Sequence, residues 1–168
     1  DIFSFIQKIM DEGGSGKGTF LCGQGRNFQG LTFDFRERVA ETGLPVVFST
    51  GAASDVDIER AVQWWARADG NLDITVLACS LIYPAPPAHA HLHRIGEMMR
   101  EVKAWRVGRP KIGYSDHTRE VETAVAAASM GAVLLEKHFA LGAQPQVSDT
   151  AFALRPTQMA AYVRLVRL

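Results

Sequence analysis

The chain has 168 residues, enough for one domain with a real hydrophobic core. Lys and Arg number 18 and so do Asp and Glu, so the formal charge is zero, and the electrostatic footprint of a general nucleic-acid binder is missing. A hydrophobic share of 47% fits a folded globular protein rather than a disordered one.

Residues 1–43 are the least legible part. "DIFSFIQKIMDE" reads as a helix, "GTFLCGQG" as a strand, and "FDFRERVAETG" as a helix ending at Gly43. The intervening "EGGSGKGT" is not a phosphate loop. That motif needs glycine where Asp11 stands and serine or threonine where Gly18 stands, so a flexible connection is the better account.

From residue 44 onward the pattern is clear. Apolar runs recur at "LPVVFST" (44–50), "ITVLACS" (74–80), "KIGYSDH" (111–117) and "AVLLEKHF" (132–139). Segments of helical period lie between them. Ser54 and Asp57 predict a cap for a first helix, with Ile58, Ala61, Val62 and Trp65 on one face and Gly70 as its stop. "HLHRIGEMMREVKAW" predicts a second, burying Leu92, Ile95, Met99 and Val102. "REVETAVAAASMG" predicts a third, ended by Gly131, and a fourth follows Pro156. Strand–helix alternation of this kind means a parallel sheet, in a barrel or an open α/β fold, with ligands beyond the carboxyl ends of the strands.

Other features narrow the class. The apolar stretch from Ala124 to Leu135 is broken by Ser129 and Gly131 and is too short to span a bilayer. No charged-then-apolar leader stands at the start, and Cys22 and Cys79 suggest no disulfide framework. The expectation is a cytoplasmic protein with no membrane partner.

The chemistry gathers where the last two runs turn polar. Alternation puts Ser115 and His117 on one face with Tyr114 and Asp116 opposite; likewise Glu136 and His138 share a face and Lys137 opposes them. If those faces turn inward, two imidazoles, a carboxylate and a hydroxyl meet at one mouth. Such a set suits zinc, manganese or iron with open positions. A lone strand-end histidine is commonly a hydrogen-bonded structural group, so both readings stay open. Ser49, in "STG", is either a phosphate contact near a helix start or part of that start. Tyr83, in "YPAPP", is either a packed loop aromatic or a ligand contact. The histidines of "HAHLH" (89–93) read as solvent-facing.

Together "LPVVFSTGAAS", "YPAPP", "GYSDHT" and "GAVLLEKHFAL", with the 21-residue step from His117 to His138, resemble the sialic acid synthase family over roughly residues 39–168. The resemblance implies a (β/α)8 TIM barrel, with residues 44–168 as its C-terminal half, strands five to eight. Residues 1–43 would then belong to the region of strand three or four. It implies a transferase condensing phosphoenolpyruvate with an N-acylated hexose to a nonulosonic acid, with phosphate released, in a cytoplasmic homodimer. Carried over by position, His117 and His138 hold manganese or magnesium and Glu136 stands beside the metal. Ser49, Tyr83 and Ser115 contact phosphoenolpyruvate, and Asp149 lies near the sugar. The stretch "VSDTAFALRP" is closer to the pseudaminic acid branch. The family's first-strand glutamate and phosphate-binding lysines have no match here, and Leu81 replaces a commonly polar contact. This chain by itself is therefore expected to be inactive. The alternatives are a non-catalytic relative binding a sugar phosphate or metal, and another metal-dependent barrel aldolase.

Overall fold

The computed structural model describes residues 39–67, 70–105, 109–140 and 152–167. Each apolar run forms a strand: β1 (Val46–Ser49), β2 (Ile74–Cys79), β3 (Lys111–Asp116) and β4 (Leu135–Lys137). All pair in parallel, in the order β1-β2-β3-β4. A doubly wound sheet reverses its order partway, whereas this order runs monotonically. Right-handed crossovers then put every connecting helix on one side, as in the wall of a barrel. The architecture is an α/β half-barrel.

Alternation sends Val46, Phe48, Ile74, Val76, Ala78, Ile112 and Tyr114 toward the helices. There they form the core with Ile58, Ala61, Val62 and Trp65, with Ile95 and Met98, and with Ala127. Each fully buried large aliphatic side chain contributes roughly 1.5–3 kcal/mol. An exposed ion pair such as Lys111–Asp73 contributes at most about 1 kcal/mol, so apolar burial dominates.

The helix α1 (Asp55–Ala66) buries the four residues its spacing predicts. The Ser54 hydroxyl accepts the Asp57 N–H at 3.3 Å and donates to the Asp57 carboxylate at 2.6 Å. The helix ends at Ala66, short of Gly70, because "ARADG" offers no large apolar group to bury. The helix α2 (His93–Ala104) buries Ile95 and Met98, with Leu92, Met99 and Val102 partly buried against the core. Met98 was not among the predicted face, since a core-facing stripe is wide enough to hold both i+3 and i+4. The helix α3 (Glu122–Ser129) stops as expected before Gly131, whose φ of 99° is left-handed and whose added Cβ would meet Met99 Cε at 2.8 Å. The helix α4 (Pro156–Val166) packs on α3 through Tyr162 and Ala124, with Leu154 beside them.

Residues 39–41 are the helical end of the segment expected to stop at Gly43. The helix predicted at 1–12 and the strand at 18–25 lie outside the described residues, as does Asp149. Among the described residues no helix is long and apolar enough to cross a membrane.

The sheet face opposite the core carries Ser49, Leu77, Cys79, Gly113, Ser115 and Glu136. Gly113 lets Leu77 lie across it. A Cβ there would stand 2.5 Å from Leu77 Cδ2 and 2.6 Å from the Leu134 carbonyl oxygen. We expect Gly113→Ala to destabilise the chain by about 1–3 kcal/mol in urea unfolding, since the backbone oxygen cannot move aside. A neutral result would show that β3 and β4 shift apart freely.

Candidate functional site

The register lines up Cys79, Ser115 and Glu136 as one row at the carboxyl ends of β2, β3 and β4. His117 and His138 follow one step beyond, on the same face. Their rings meet edge to face with centroids 5.3 Å apart. The two strand ends thus bring together the imidazoles and the Ser115 hydroxyl that alternation placed in phase, while Glu136 shares the face beside Ser115 without joining the histidines in a three-residue cluster.

His117 is buried and its hydrogen bonds define its tautomer. Its Nδ1 lies 2.5 Å from the Ser80 carbonyl oxygen, which can only accept. Nδ1 therefore carries the proton, and in the neutral ring Nε2 holds a lone pair, 3.2 Å from Ser115 Oγ. A backbone carbonyl fixing one ring nitrogen so that the other can bind is the usual setting of a metal-ligating histidine. The donor set thus fits a divalent ion held by His117 and His138. Among the described residues no three His, Cys, Asp or Glu side chains converge as a complete ligand set, so further ligands would be other groups, solvent or substrate.

Aromatic rings wall this pair. Tyr83 lies 4.1 Å from His117, ring centre to ring centre, so the loop tyrosine does face the site. Phe152, 4.8 Å from His138 and 5.7 Å from Tyr83, completes a group of four rings. It is brought there by backbone pairing: Leu154 N–H donates to the His138 carbonyl at 2.8 Å, and Ala140 N–H to the Leu154 carbonyl at 3.0 Å. Sequence reasoning missed Phe152, because nothing local says that this stretch returns to β4.

Ser49 ends β1 on the site face, half-buried. The phosphate reading of "STG" narrows to that side chain. Thr50 N–H donates to the Leu77 carbonyl and Gly51 N–H to Cys79 Sγ at 3.1 Å, while α1 starts only at Asp55. His89, His91 and His93 are exposed as expected, with successive ring centres 6.0 and 5.7 Å apart.

Cys79 was also missed as a member of the row. Burial pushes its thiol pKa up and the Glu136 charge adds to that, against the Gly51 and Thr50 hydrogen bonds. The thiolate is thus scarce at neutral pH. We expect Cys79 to react with iodoacetamide much more slowly in the folded chain than in urea, with the rate rising only above the ordinary thiol range. Peptide mass spectrometry checks this, and equal labelling in both states would contradict it.

On the reverse face Asp116 and Lys137 form an ion pair, Oδ2 to Nζ 2.9 Å, with side chains 0% and 1% exposed.

Comparison with known proteins bears on the family and the fold. The family model described as "NeuB family" matches residues 28–168. A pseudaminic acid synthase of Helicobacter pylori is 32% identical over 128 residues, 76% of this chain and 36% of that protein. Spore coat polysaccharide biosynthesis protein SpsE of Bacillus subtilis is 35% identical over 131 residues, 77% of this chain and 33% of that one. Mouse N-acetylneuraminate-9-phosphate synthase is 32% identical over 136 residues, 81% of this chain and 36% of that one. The chain thus spans about a third of the length of these relatives. The solved structure of the Bacillus subtilis protein superposes with a TM-score of 0.77 at 28% identity, over 96% of this chain and 42% of that one. An N-acetylneuraminic acid synthetase from Leptospira borgpetersenii gives 0.67 at 29%, over 80% and 44%. The half-barrel, the paired strand-end histidines and a family match running from residue 28 to residue 168 lead to one conclusion: this chain belongs to the NeuB family.

Proposed function

We propose that this chain forms the metal-holding part of a synthase that condenses phosphoenolpyruvate with an N-acylated hexose, yielding a sialic- or pseudaminic-type nonulosonic acid and phosphate. The observation that carries the reading is the pair His117 and His138, rings 5.3 Å apart, with His117 Nδ1 engaged by the Ser80 carbonyl. In this reading β1 to β4 are strands five to eight of a (β/α)8 barrel, and residues 1–43 belong to the region of strand three or four. The working enzyme is a cytoplasmic homodimer.

His117 and His138 would hold a manganese or magnesium ion. When bound, that ion supplies Lewis acidity toward the sugar's carbonyl oxygen. The chain's own groups do the rest. Ser49, Ser115 and the Tyr83 hydroxyl hold phosphoenolpyruvate by donating hydrogen bonds to its oxygens. Glu136, beside Ser115, accepts hydrogen bonds and orients the water that adds. Tyr83 and Phe152 exclude bulk water from the histidines, and Asp149 contacts the sugar.

Lys137 cannot neutralise the phosphate from this face, since its ammonium is turned to Asp116. The cationic groups therefore have to come from elsewhere. Supplied with phosphoenolpyruvate, manganese and an N-acylated hexose, the 168-residue chain alone is expected to release no phosphate above background. It should nevertheless bind manganese and hold phosphoenolpyruvate near it, broadening the substrate's phosphorus resonance. Absence of that broadening, with Ser49→Ala and Ser115→Ala indistinguishable from the parent, would overturn the assignment. Robust turnover by a monomer would overturn the half-barrel reading.

A further inference from the structure

We infer that Asp116 and Lys137 are positioning residues: a buried clamp behind the histidine pair that sets the spacing of His117 and His138. The inference rests on the proposed metal role of those histidines for its functional meaning, but its geometry stands on its own.

Each clamp residue immediately precedes a site histidine, and strand alternation turns the two to opposite faces. The charges meet across β3 and β4, whose register pairs Asp116 with Lys137 directly. Both strands end there, and among the described residues no further rung of the β3–β4 ladder joins the segments that carry the histidines. The ion pair therefore acts as the last tie between the strands before the site.

The clamp also grips the loop after His117. Asp116 Oδ1 accepts the Thr118 N–H at 2.9 Å and its hydroxyl at 2.7 Å. Lys137 Nζ donates to the Thr118 carbonyl at 2.5 Å and to the Glu120 carbonyl at 3.3 Å. The backbone is thus held just before and just after His117. From the other side, the Ser80 carbonyl holds the ring.

Two buried charges are a costly way to hold two strands together. Well-packed apolar groups of similar volume stabilise as well or better, so the pair adds little to stability that other residues could not. Its directional bonds supply what apolar packing does not, a defined position for each strand end.

The test compares the full chain with the neutral double variant Asp116→Asn/Lys137→Met, which leaves no uncompensated charge, and with Asp116→Asn/Lys137→Gln, which offers a neutral pair able to hydrogen-bond in place of the ion pair. Two readouts are taken: cross-relaxation between the His117 and His138 ring protons by NMR without metal, and manganese affinity by electron paramagnetic resonance. The Asn/Met variant should stay folded, lose the ring-to-ring signal and bind manganese about 10- to 100-fold more weakly. The Asn/Gln variant should regain most of both. Parental ring contact and affinity in a folded Asn/Met variant would overturn the clamp. If the parent binds no manganese, the proposed function fails, and the NMR comparison still decides the clamp.

Discussion

Replacing both His117 and His138 with alanine is expected to abolish binding of a divalent metal, and each single replacement should weaken it at least as much as losing an outer-sphere partner. That lesser loss is about 10- to 100-fold, and a direct ligand carries more. The expectation rests on the geometry of the strand ends. The His117 lone pair is fixed by the Ser80 hydrogen bond, and His138, just past the end of β4, has its ring centre 5.3 Å from that of His117. Glu136 cannot replace a missing imidazole by itself, because one carboxylate and one imidazole leave a weaker set. Manganese titration by electron paramagnetic resonance measures the loss, with circular dichroism to show that the variants fold. Unchanged binding by the folded double variant would remove the metal from the proposed function.

Lys137→Met alone is expected to destabilise the chain by about 3–5 kcal/mol, because it leaves the Asp116 carboxylate buried without its counter-charge. The side chains are 1% and 0% exposed, so water cannot take the place of the ammonium. The matched control is Lys111→Met. Its partner Asp73 lies 2.7 Å away, yet the side chains are 54% and 46% exposed, and the loss should stay within about 1 kcal/mol. Similar separations with very different burial make the comparison a test of desolvation rather than distance. Urea midpoints for the two variants give the answer. Equal small losses would show that water reaches Asp116 once the lysine is gone.

Much of this protein was legible in its sequence wherever the physics is local. The period of two in "GYSDH" and "LEKH" already placed Ser115 with His117 and Glu136 with His138, and turned Asp116 and Lys137 away. The period near 3.6 in "SDVDIERAVQWW" named all four buried residues of α1 and its cap, because helix phase and capping involve neighbours three or four positions apart. The limits of local reading show in the same places. Alternation assigned Asp116 and Lys137 to a face without saying that they meet. That needed the β3–β4 register, set by pairing between distant segments. The sequence also had no means of marking the Ser80 carbonyl as the group that fixes the His117 tautomer, since every residue has such a carbonyl and only the fold aims one at a ring. Phe152 reads as an ordinary apolar residue until Leu154 pairs with the end of β4 and lays it against His138. Composition and spacing determined which chemical groups this chain possesses and which side of a strand or helix each takes. Their mutual distances were decided only by tertiary structure, because a contact between segments far apart in the chain depends on the packing of everything between them.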